Sequence, residues 1–249
     1  MALQFSGIDF RYRRTSSVFT GLNLVIDSPA TVLLGPNGAG KSTLMALAAT
    51  QLAPHQGSVA WGGIKPTDRR SRAEYVRRVA WLPQDVMAVP GLTVREQVAY
   101  MGWLKGMSRK SAWDASVDAL ARVRLTDLAD RRSHQVSGGQ RRRMGLAGAL
   151  THRSELILLD EPTAGLDPTQ RKVFRGLLEQ LTADVHVMVS THQTEDLADL
   201  YSEVVVLDQG HVRFQGGTEA FHALAGQPHL PSVREQAEAA YAHLVRQEA

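Results

Sequence analysis

The sequence contains no cysteine. Disulfide bonds, catalysis by a thiolate and metal sites with cysteine ligands are therefore excluded. A chain without disulfides is also consistent with a reducing compartment.

Long hydrophobic segments are missing as well. No apolar run approaches the roughly 20 residues that a membrane-spanning helix needs. The first residues, MALQFSGIDFRYRR, carry charged and polar side chains too early and too often for the apolar core of a signal peptide. We therefore expect a protein on the cytoplasmic side of the cell membrane, and any role at that membrane would come through a partner.

The sequence has only a small excess of charge. Its formal net charge is +3 and its pI is about 9.4, an excess too mild to indicate a nucleic-acid-binding surface. The 249 residues, 43% of them hydrophobic, suffice for one α/β domain with a sizeable insert. We expect a globular protein that does not have nucleic acid as a partner.

The pattern of apolar runs divides the chain into zones. In the first, from residue 3 to about residue 84, the strand-like segments LQFSGIDFRY and LNLVID precede the apolar run TVLL, a glycine-rich loop and the helix-forming segment STLMALAAT. The second zone, about 85–150, lacks strand signals. It predicts helices, among them Val94–Trp103 and Ser111–Val123.

The third zone, about 151–216, returns to alternating strands and helices. Its predicted elements are a strand at Leu156–Leu159, a helix at Thr169–Leu181, a strand at Val185–Ser190, and a hairpin of VVVL and HVRFQ joined by Asp208-Gln209-Gly210. A tail, about 218–249, is predicted to be helical over Ser232–Gln247. This alternation predicts an α/β fold with a mostly parallel sheet covered on both faces, in one domain over residues 3–240.

One helical stripe in the second zone contains large apolar side chains. Trp113, Val117, Leu120 and Ala121 recur at helical spacing. Such a stripe more often packs into the core than forms a binding surface. We therefore favour core packing for it.

The loop GPNGAGKS, at Gly35–Ser42, fits the phosphate-binding Walker A pattern GxxxxGK[ST] at every fixed position. Glycines let backbone N–H groups turn inward on a phosphate, and the following helix adds its positive N-terminal end. Lys41 can reach the β- and γ-phosphates, while Ser42 offers a hydroxyl to Mg²⁺. The expected nucleotide-binding residues are Gly35, Pro36, Asn37, Gly38, Ala39, Gly40, Lys41, Ser42 and Thr43.

Two carboxylates follow the apolar run LILL. Asp160 falls at the C-terminal end of that predicted strand, where open α/β sheets bind ligands, so it should lie near the Mg²⁺ held by Ser42. Glu161 is positioned to polarise the water that attacks the γ-phosphate. Gln84 and His192 follow two other strands. Gln84 could contact Mg²⁺ or this water, and His192 could donate to the γ-phosphate or hold the water.

The segment VSGGQRRR, at Val136–Arg143, resembles the signature sequence of ATP-binding cassette (ABC) ATPases, whose usual form is LSGGQ. The Walker A loop, Gln84, the two carboxylates, the segment AGLD at Ala164–Asp167 and His192 stand in the family's order, so the resemblance covers about Leu3 to Gly216. It implies a P-loop NTPase core with a mostly parallel sheet, an N-terminal antiparallel β subdomain and an inserted helical subdomain.

The residues of the signature would form a second phosphate-binding helix start, ahead of a helix at Gln140–Leu150. The resemblance implies that this signature closes over ATP on a second subunit, so the chain would pair with another, most simply with itself. The residues expected to act in trans are Ser137, Gly138, Gly139, Gln140 and Asp167. Tyr12 matches the aromatic residue that stacks on adenine in this family.

The departures from the family pattern are small. Val136 replaces leucine, Gly148 stands where arginine is common, and the proline often found before the LILL strand is missing. The residues that would carry hydrolysis are all present: Lys41, Gln84, Asp160, Glu161 and His192. We therefore expect a hydrolytically competent site.

The function predicted from this resemblance is an ATP-hydrolysing subunit that works with a separate integral-membrane permease. The segments PGLTVREQVAY and STHQTED and the hairpin ending in FQG look like those of exporter subunits, so export is favoured over import. One alternative is a soluble ABC ATPase acting on ribosomes, DNA or a protein complex. Another is a nucleotide switch without turnover, for which Glu161 would be dispensable.

Overall fold

The structure is a computed structural model that describes residues 1–12, 16–193, 200–225 and 233–246. The strands are β1 (Leu3–Tyr12), β2 (Ser16–Ile26), β3 (Ala30–Leu34), β4 (Gln56–Trp61), β5 (Val79–Leu82), β6 (Leu156–Asp160), β7 (His186–Thr191), β8 (Glu203–Asp208) and β9 (His211–Gly217). The helices are α1 (Lys41–Ala48), α2 (Arg69–Arg78), α3 (Val94–Leu104), α4 (Arg109–Arg122), α5 (Gly138–Thr151), α6 (Pro168–Leu181), α7 (Thr218–Ala223) and α8 (Val233–Arg246). Each of the described helices is too short or too polar to cross a membrane.

Three strands form an N-terminal antiparallel sheet in the order β2-β1-β4. In the central strand, Leu3 pairs with Ile26 on one side and with Trp61 on the other. Leu3, Phe5 and Ile8 are buried, whereas the intervening residues Gln4 and Ser6 are exposed. One face of this sheet therefore covers the core, as the alternation of apolar residues requires.

Six strands form the second sheet, in the order β5-β6-β7-β3-β8-β9. All neighbouring pairs are parallel except β8 and β9, which form the predicted hairpin. Every residue of β3 and β6 is buried, as expected for parallel strands covered on both faces. The predicted fold class, a mostly parallel α/β sheet with an N-terminal antiparallel sheet, is confirmed.

The two faces of the six-stranded sheet have separate cores. Leu33 points to the side of the N-terminal sheet and α1, whereas Val32 and Leu34 point to the side of α5, α6 and α8. This alternation follows from the two-residue period of a strand. The sheet is thereby enclosed, and its strand ends are left to form a site.

The strand order brings four loops to one edge of the sheet. Because β5, β6, β7 and β3 are parallel neighbours, their C-terminal ends lie side by side. The segments that follow them begin at Pro83, Glu161, His192 and Gly35, and the first of these carries Gln84. Topology alone therefore gathers the predicted catalytic residues at the edge where α/β sheets bind ligands.

Residues 85–150 contain the helices α3, α4 and α5 and no strand. The prediction that the stripe of α4 packs in the core is wrong, because Trp113 and Val117 are 41% and 45% exposed and Ala121 is exposed too. Only Leu120 is buried, on the neighbouring face with the small residues Ala112, Ser116 and Ala119. The guanidinium of Arg95 lies 3.8 Å from the centre of the Trp113 ring. The exposed Trp113 side chain therefore makes a cation–π contact instead of packing in the core.

Some element boundaries differ from those predicted. α5 begins at Gly138 rather than at Gln140 because the side chain of Ser137 caps it. The strand β4 and the short helices α2 and α7 were not predicted; Asp68 and Ser71 form a capping box that starts α2. The predicted tail helix corresponds to α8, and its two predicted end residues, 232 and 247, lie outside the described residues. The limits of the domain and its zones remain predictions.

Candidate functional site

The phosphate-binding loop joins β3 to α1. Gly40, the N-cap of α1, has φ +105°, and a Cβ there would meet the Phe19 ring at 3.0 Å. A Cβ on Gly35 would lie 2.2 Å from the Leu207 carbonyl oxygen. Glycine is therefore required at both positions, by the backbone conformation at one and by the approach of β8 at the other.

Lys41 is buried, and its ammonium group faces both the loop and a carboxylate. Its Nζ donates to the carbonyl oxygens of Gly35 at 2.6 Å and Pro36 at 3.1 Å, and lies 3.8 Å from Oε1 of Glu161. Burial lowers the pKa of Lys41, while the charges of Glu161 and Asp160 raise it. The loop thus holds the Lys41 ammonium group through two carbonyl oxygens. Phosphate oxygens can take the place of these acceptors.

Tyr12 lies next to the start of α1. Its hydroxyl is 3.2 Å from Oγ1 of the buried Thr43, and its ring stands edge-on to that of Phe10. The side chain is 51% exposed and lies beside the helix that follows the phosphate-binding loop. Its stacking on adenine remains a prediction with which this position agrees.

Asp160 ends β6 and is buried. It pairs in register with Ser190 of β7, whose hydroxyl donates to Oδ1 of Asp160. Ser190 is fully buried and was not predicted as part of the site. Its signal in the sequence was its position at the end of a predicted strand, one residue before the segment that carries His192.

Glu161 is held in an unusual backbone conformation, with φ +46°. Its N–H donates to the carbonyl oxygen and the hydroxyl of Ser190, both at 3.1 Å. Its carboxylate oxygens lie 2.9 and 3.0 Å from Nδ1 of His192, whose side chain is 41% exposed. The structure therefore brings Lys41, Glu161 and His192 together as predicted residues of one cluster.

Gln84 follows β5 and is exposed, one strand away from Asp160. The oxygen donors predicted for Mg²⁺, which are the Ser42 hydroxyl, the Asp160 carboxylate and the Gln84 amide, suit a hard cation. Within the described ranges there is no group of three or more His, Asp or Glu side chains able to hold a metal. A donor set of this kind fits a Mg²⁺ that shares its coordination with phosphate and water.

The two helix starts predicted to act in trans lie side by side. Ser137 caps α5 in a reciprocal pair with Gln140, and Asp167 caps α6 by accepting from the Gln170 N–H at 2.9 Å. The Gln170 side chain packs on Gly139, where a Cβ would lie 2.4 Å from its Oε1. This contact places the signature and the AGLD segment on one surface; their action in trans remains a prediction.

The arrangement combines the groups that phosphoryl transfer to water needs. A buried lysine can bind phosphate oxygens, Asp160 and its neighbours offer metal ligands, and Glu161 can accept a proton from a water. Arg142 of α5 also reaches this cluster through the backbone of Glu161 and was not predicted to belong to it. The site can therefore bind and hydrolyse a nucleoside triphosphate.

Comparison with known families agrees with this chemistry. The family model described as ABC transporter matches residues 22–164. The chain is 39% identical over 191 residues to the cobalt import ATP-binding protein CbiO of Rhodobacter capsulatus, covering 76% of this chain and 68% of that protein. It is 32% identical over 182 residues to the linearmycin resistance ATP-binding protein LnrL of Bacillus subtilis, covering 72% of this chain and 58% of that protein.

A solved structure is similar over most of the chain. The dimeric, post-hydrolysis ATP-binding cassette MJ0796 with bound ADP and Pi superposes with a TM-score of 0.76 at 25% identity, covering 86% of this chain and 98% of that one. The similarity therefore includes the whole of that cassette rather than the phosphate-binding loop alone.

Proposed function

The chain belongs to the ABC transporter family as an ATP-binding subunit that hydrolyses ATP, and from this premise we propose that it drives substrate through a separate membrane permease. The observation that carries the proposal is the cluster of Lys41, Glu161 and His192 beside Asp160 at one edge of the sheet. We assign a role in ATP hydrolysis to each of the four.

ATP binding begins at the loop that joins β3 to α1. The γ- and β-phosphates replace the carbonyl oxygens of Gly35 and Pro36 as acceptors for Lys41, and the N–H groups of the loop add further donors. The adenine ring stacks on Tyr12 beside Thr43. Ser42, Asp160 and Gln84 would hold Mg²⁺, which neutralises charge on the phosphate oxygens when it is bound.

Hydrolysis requires a base at the γ-phosphate. Once Lys41 has turned to the phosphates, the carboxylate of Glu161 is free to accept a proton from the attacking water. His192 contacts this carboxylate at 2.9 Å and keeps it oriented, and its exposed edge can donate to the γ-phosphate. Ser190 fixes both Asp160 and the Glu161 peptide.

A second subunit completes each site. We propose that Ser137, Gly138, Gly139 and Gln140 close over ATP bound to the partner subunit, with Asp167 at the same interface. The shared surface of α5 and α6 around Gln170 supports this arrangement, because it presents both helix starts together. The dimeric state named for the MJ0796 structure supports it too.

The permease is proposed to dock on the groove between α3 and α4. Tyr100, Trp103 and Trp113 are 39%, 44% and 41% exposed and line this groove, an apolar surface that a membrane protein's cytoplasmic helix can cover. The side chain of Gln97 on α3 bonds to Met87 and Val89, in the segment that follows Gln84. Docking of the permease on α3 is thereby connected to the nucleotide site. The docked subunit would lie at the cytoplasmic face of the membrane.

Export is the direction of transport that we propose. The similarity to a protein named for linearmycin resistance supports it, whereas the similarity to CbiO would support import. A strain lacking this gene would test the direction. Export predicts that the strain becomes sensitive to a toxic compound and that wild type, but not the Glu161→Gln variant, restores resistance; a lost ability to accumulate a nutrient would overturn it.

The proposed hydrolytic site is tested with purified Glu161→Gln protein. We expect a loss of turnover of about 100-fold or more, with ATP still bound and a dimer measured by light scattering. Glu179→Gln, which changes an exposed carboxylate on α6, is the matched control. Wild-type turnover by the Glu161→Gln variant would overturn the assignment, and a strictly monomeric ATP-bound variant would overturn the paired site.

A further inference from the structure

Arg142 of α5 makes a direct contact with the catalytic segment. Its Nη1 donates to the backbone carbonyl oxygen of Glu161 at 2.9 Å. α5 starts at the signature residue Ser137, whereas Glu161 follows β6 of the six-stranded sheet. This hydrogen bond therefore joins the signature helix to the peptide that carries the proposed general base.

The Glu161 peptide depends on such contacts. A non-glycine residue with φ +46° is in a strained backbone conformation, which persists only where surrounding contacts hold it. The N–H of Glu161 is fixed by Ser190, and its carbonyl oxygen accepts from Arg142 and, at 3.2 Å, from the Ala164 N–H. Because the backbone dihedrals set the direction of the Cα–Cβ bond, these donors also set where the carboxylate points.

The neighbouring arginine has a different role. Nη1 of Arg143 donates to the carbonyl oxygens of Val123 and Arg124, at 3.0 and 2.9 Å, and so fastens α5 to the end of α4. Arg142 instead reaches out of the helical region to Glu161. Two consecutive side chains of α5 thus make separate connections, of which only that of Arg142 ends at the catalytic segment.

Arg142 stays charged although its surroundings lower its pKa. Burial lowers the pKa of its guanidinium, while the negative charges of Asp85 and Glu161 raise it, and an arginine stays protonated under all ordinary conditions. Asp85 directly follows Gln84. The guanidinium is therefore within electrostatic reach of acidic groups in both the segment of Gln84 and the segment of Glu161.

We propose that Arg142 is a positioning residue for hydrolysis, which holds the Glu161 peptide so that its carboxylate faces the attacking water. The proposal rests on the proposed role of Glu161 as general base. Because the hydrogen bond spans from α5 to the sheet, a rotation of α5 against the sheet would lengthen it. When the signature closes on ATP bound to the partner subunit, the movement of α5 therefore reaches the Glu161 carboxylate of its own chain through Arg142.

The test compares Arg142→Gln, Arg142→Met and Arg142→Lys. With the Gln and Met variants we expect kcat to fall about 10- to 100-fold, while KM for ATP and ATP binding stay within about 2-fold of wild type. The Lys variant keeps the charge and one donor and should recover part of the loss. Arg122→Gln removes an exposed arginine that bridges α4 to Asp184 at 2.7 Å, and it serves as the control.

A double-mutant cycle separates positioning from general destabilisation. Arg142→Gln/Glu161→Gln should turn over no more slowly than Glu161→Gln alone, because the side chain that Arg142 positions is already inactive. Melting temperatures are measured for every variant. If Arg142→Gln does not fold, kcat is measured on Arg142→Met instead, because methionine fills much of the space that the arginine occupied.

The outcomes distinguish this proposal from the function on which it rests. Wild-type kcat in a folded Arg142→Gln or Arg142→Met variant would overturn the positioning role while leaving the hydrolytic site intact. The positioning role would also be overturned if the kcat of the double variant fell below that of Glu161→Gln by the full factor that Arg142→Gln alone causes. Wild-type turnover by Glu161→Gln alone would instead overturn the proposed base.

Discussion

His192 Nδ1 lies 2.9 Å from Oε1 of Glu161, the same oxygen that Lys41 Nζ approaches at 3.8 Å. The carboxylate is therefore held between two groups, of which the lysine is buried and the histidine is 41% exposed. A phosphate that takes the lysine leaves the histidine as the contact that orients the base.

Replacement of His192 by alanine should lower kcat because Glu161 loses its orienting contact and the γ-phosphate loses a donor. We expect a fall of about 100-fold, with KM for ATP changed by less than about 5-fold, since binding depends mainly on the loop and Lys41. Steady-state ATPase kinetics measure both constants. The exposed His243 on α8, changed to alanine, is the control, and equal kcat for the two variants would contradict the assignment.

Ser190→Ala should damage the site without touching a substrate-binding group. The hydroxyl donates to Asp160 and accepts from the Glu161 N–H, so its loss leaves a buried carboxylate oxygen with one donor fewer. We expect a destabilisation of about 1 to 3 kcal/mol and a half-maximal ATPase rate that requires a higher Mg²⁺ concentration than in wild type. Chemical denaturation and Mg²⁺ titration of the ATPase rate measure the two effects.

The control for that variant is Ser154→Ala, which also removes a buried hydroxyl, one that donates to the Ala149 carbonyl oxygen. It should lower stability by a similar amount and leave the Mg²⁺ titration unchanged. The same Mg²⁺ dependence in both variants would mean that Ser190 acts only through the fold.

Sequence patterns identified candidate site residues where the chemistry depends on residues next to each other in the chain. The loop around Lys41 and the pair Asp160 and Glu161 could be identified because a glycine pattern and an apolar strand each place their polar residues directly. His192 meets Glu161 because the strands that they follow are neighbours. The strand order was not predicted, because nothing local states which parallel strands are neighbours.

The features that sequence patterns missed depend on packing between elements. Ser190 and Arg142 act through the backbone of Glu161, a residue far from both in sequence, and no local pattern encodes such contacts. Trp113 and Val117 were assigned to the wrong face of α4 because apolar residues recur there at helical spacing, whereas the buried face combines Leu120 with small residues that let α3 and α5 approach.

Trp103→Glu should impair binding of the permease. The side chain stacks on Tyr100 with ring centroids 5.7 Å apart, and a carboxylate there would put a charge into the proposed contact. We expect recovery of the co-expressed permease from detergent extracts to fall about 10-fold or more. Val25→Glu changes a residue that is 50% exposed on β2 and should leave recovery at the wild-type level. Equal recovery of the permease by both variants would exclude this groove.

His152 should make stability depend on pH. It follows α5 in a partly buried position where desolvation, aided by the charge of Lys105, lowers its pKa from 6.5 to about 4, against a contribution from the Gly148 carbonyl. Between these values the unfolded chain binds more protons than the folded one, so stability is present above pH 6.5 and is lost as the pH falls towards 4.

The comparison of His152→Gln with wild type measures this effect. From the two pKa values, wild type should lose about 2 kcal/mol more than the variant between pH 7.5 and pH 5, because glutamine cannot take up a proton. Urea unfolding at the two pH values provides the free energies. The exposed His243, changed to glutamine, is the matched control. If His152→Gln keeps the wild-type pH dependence, other groups must cause the loss of stability in acid.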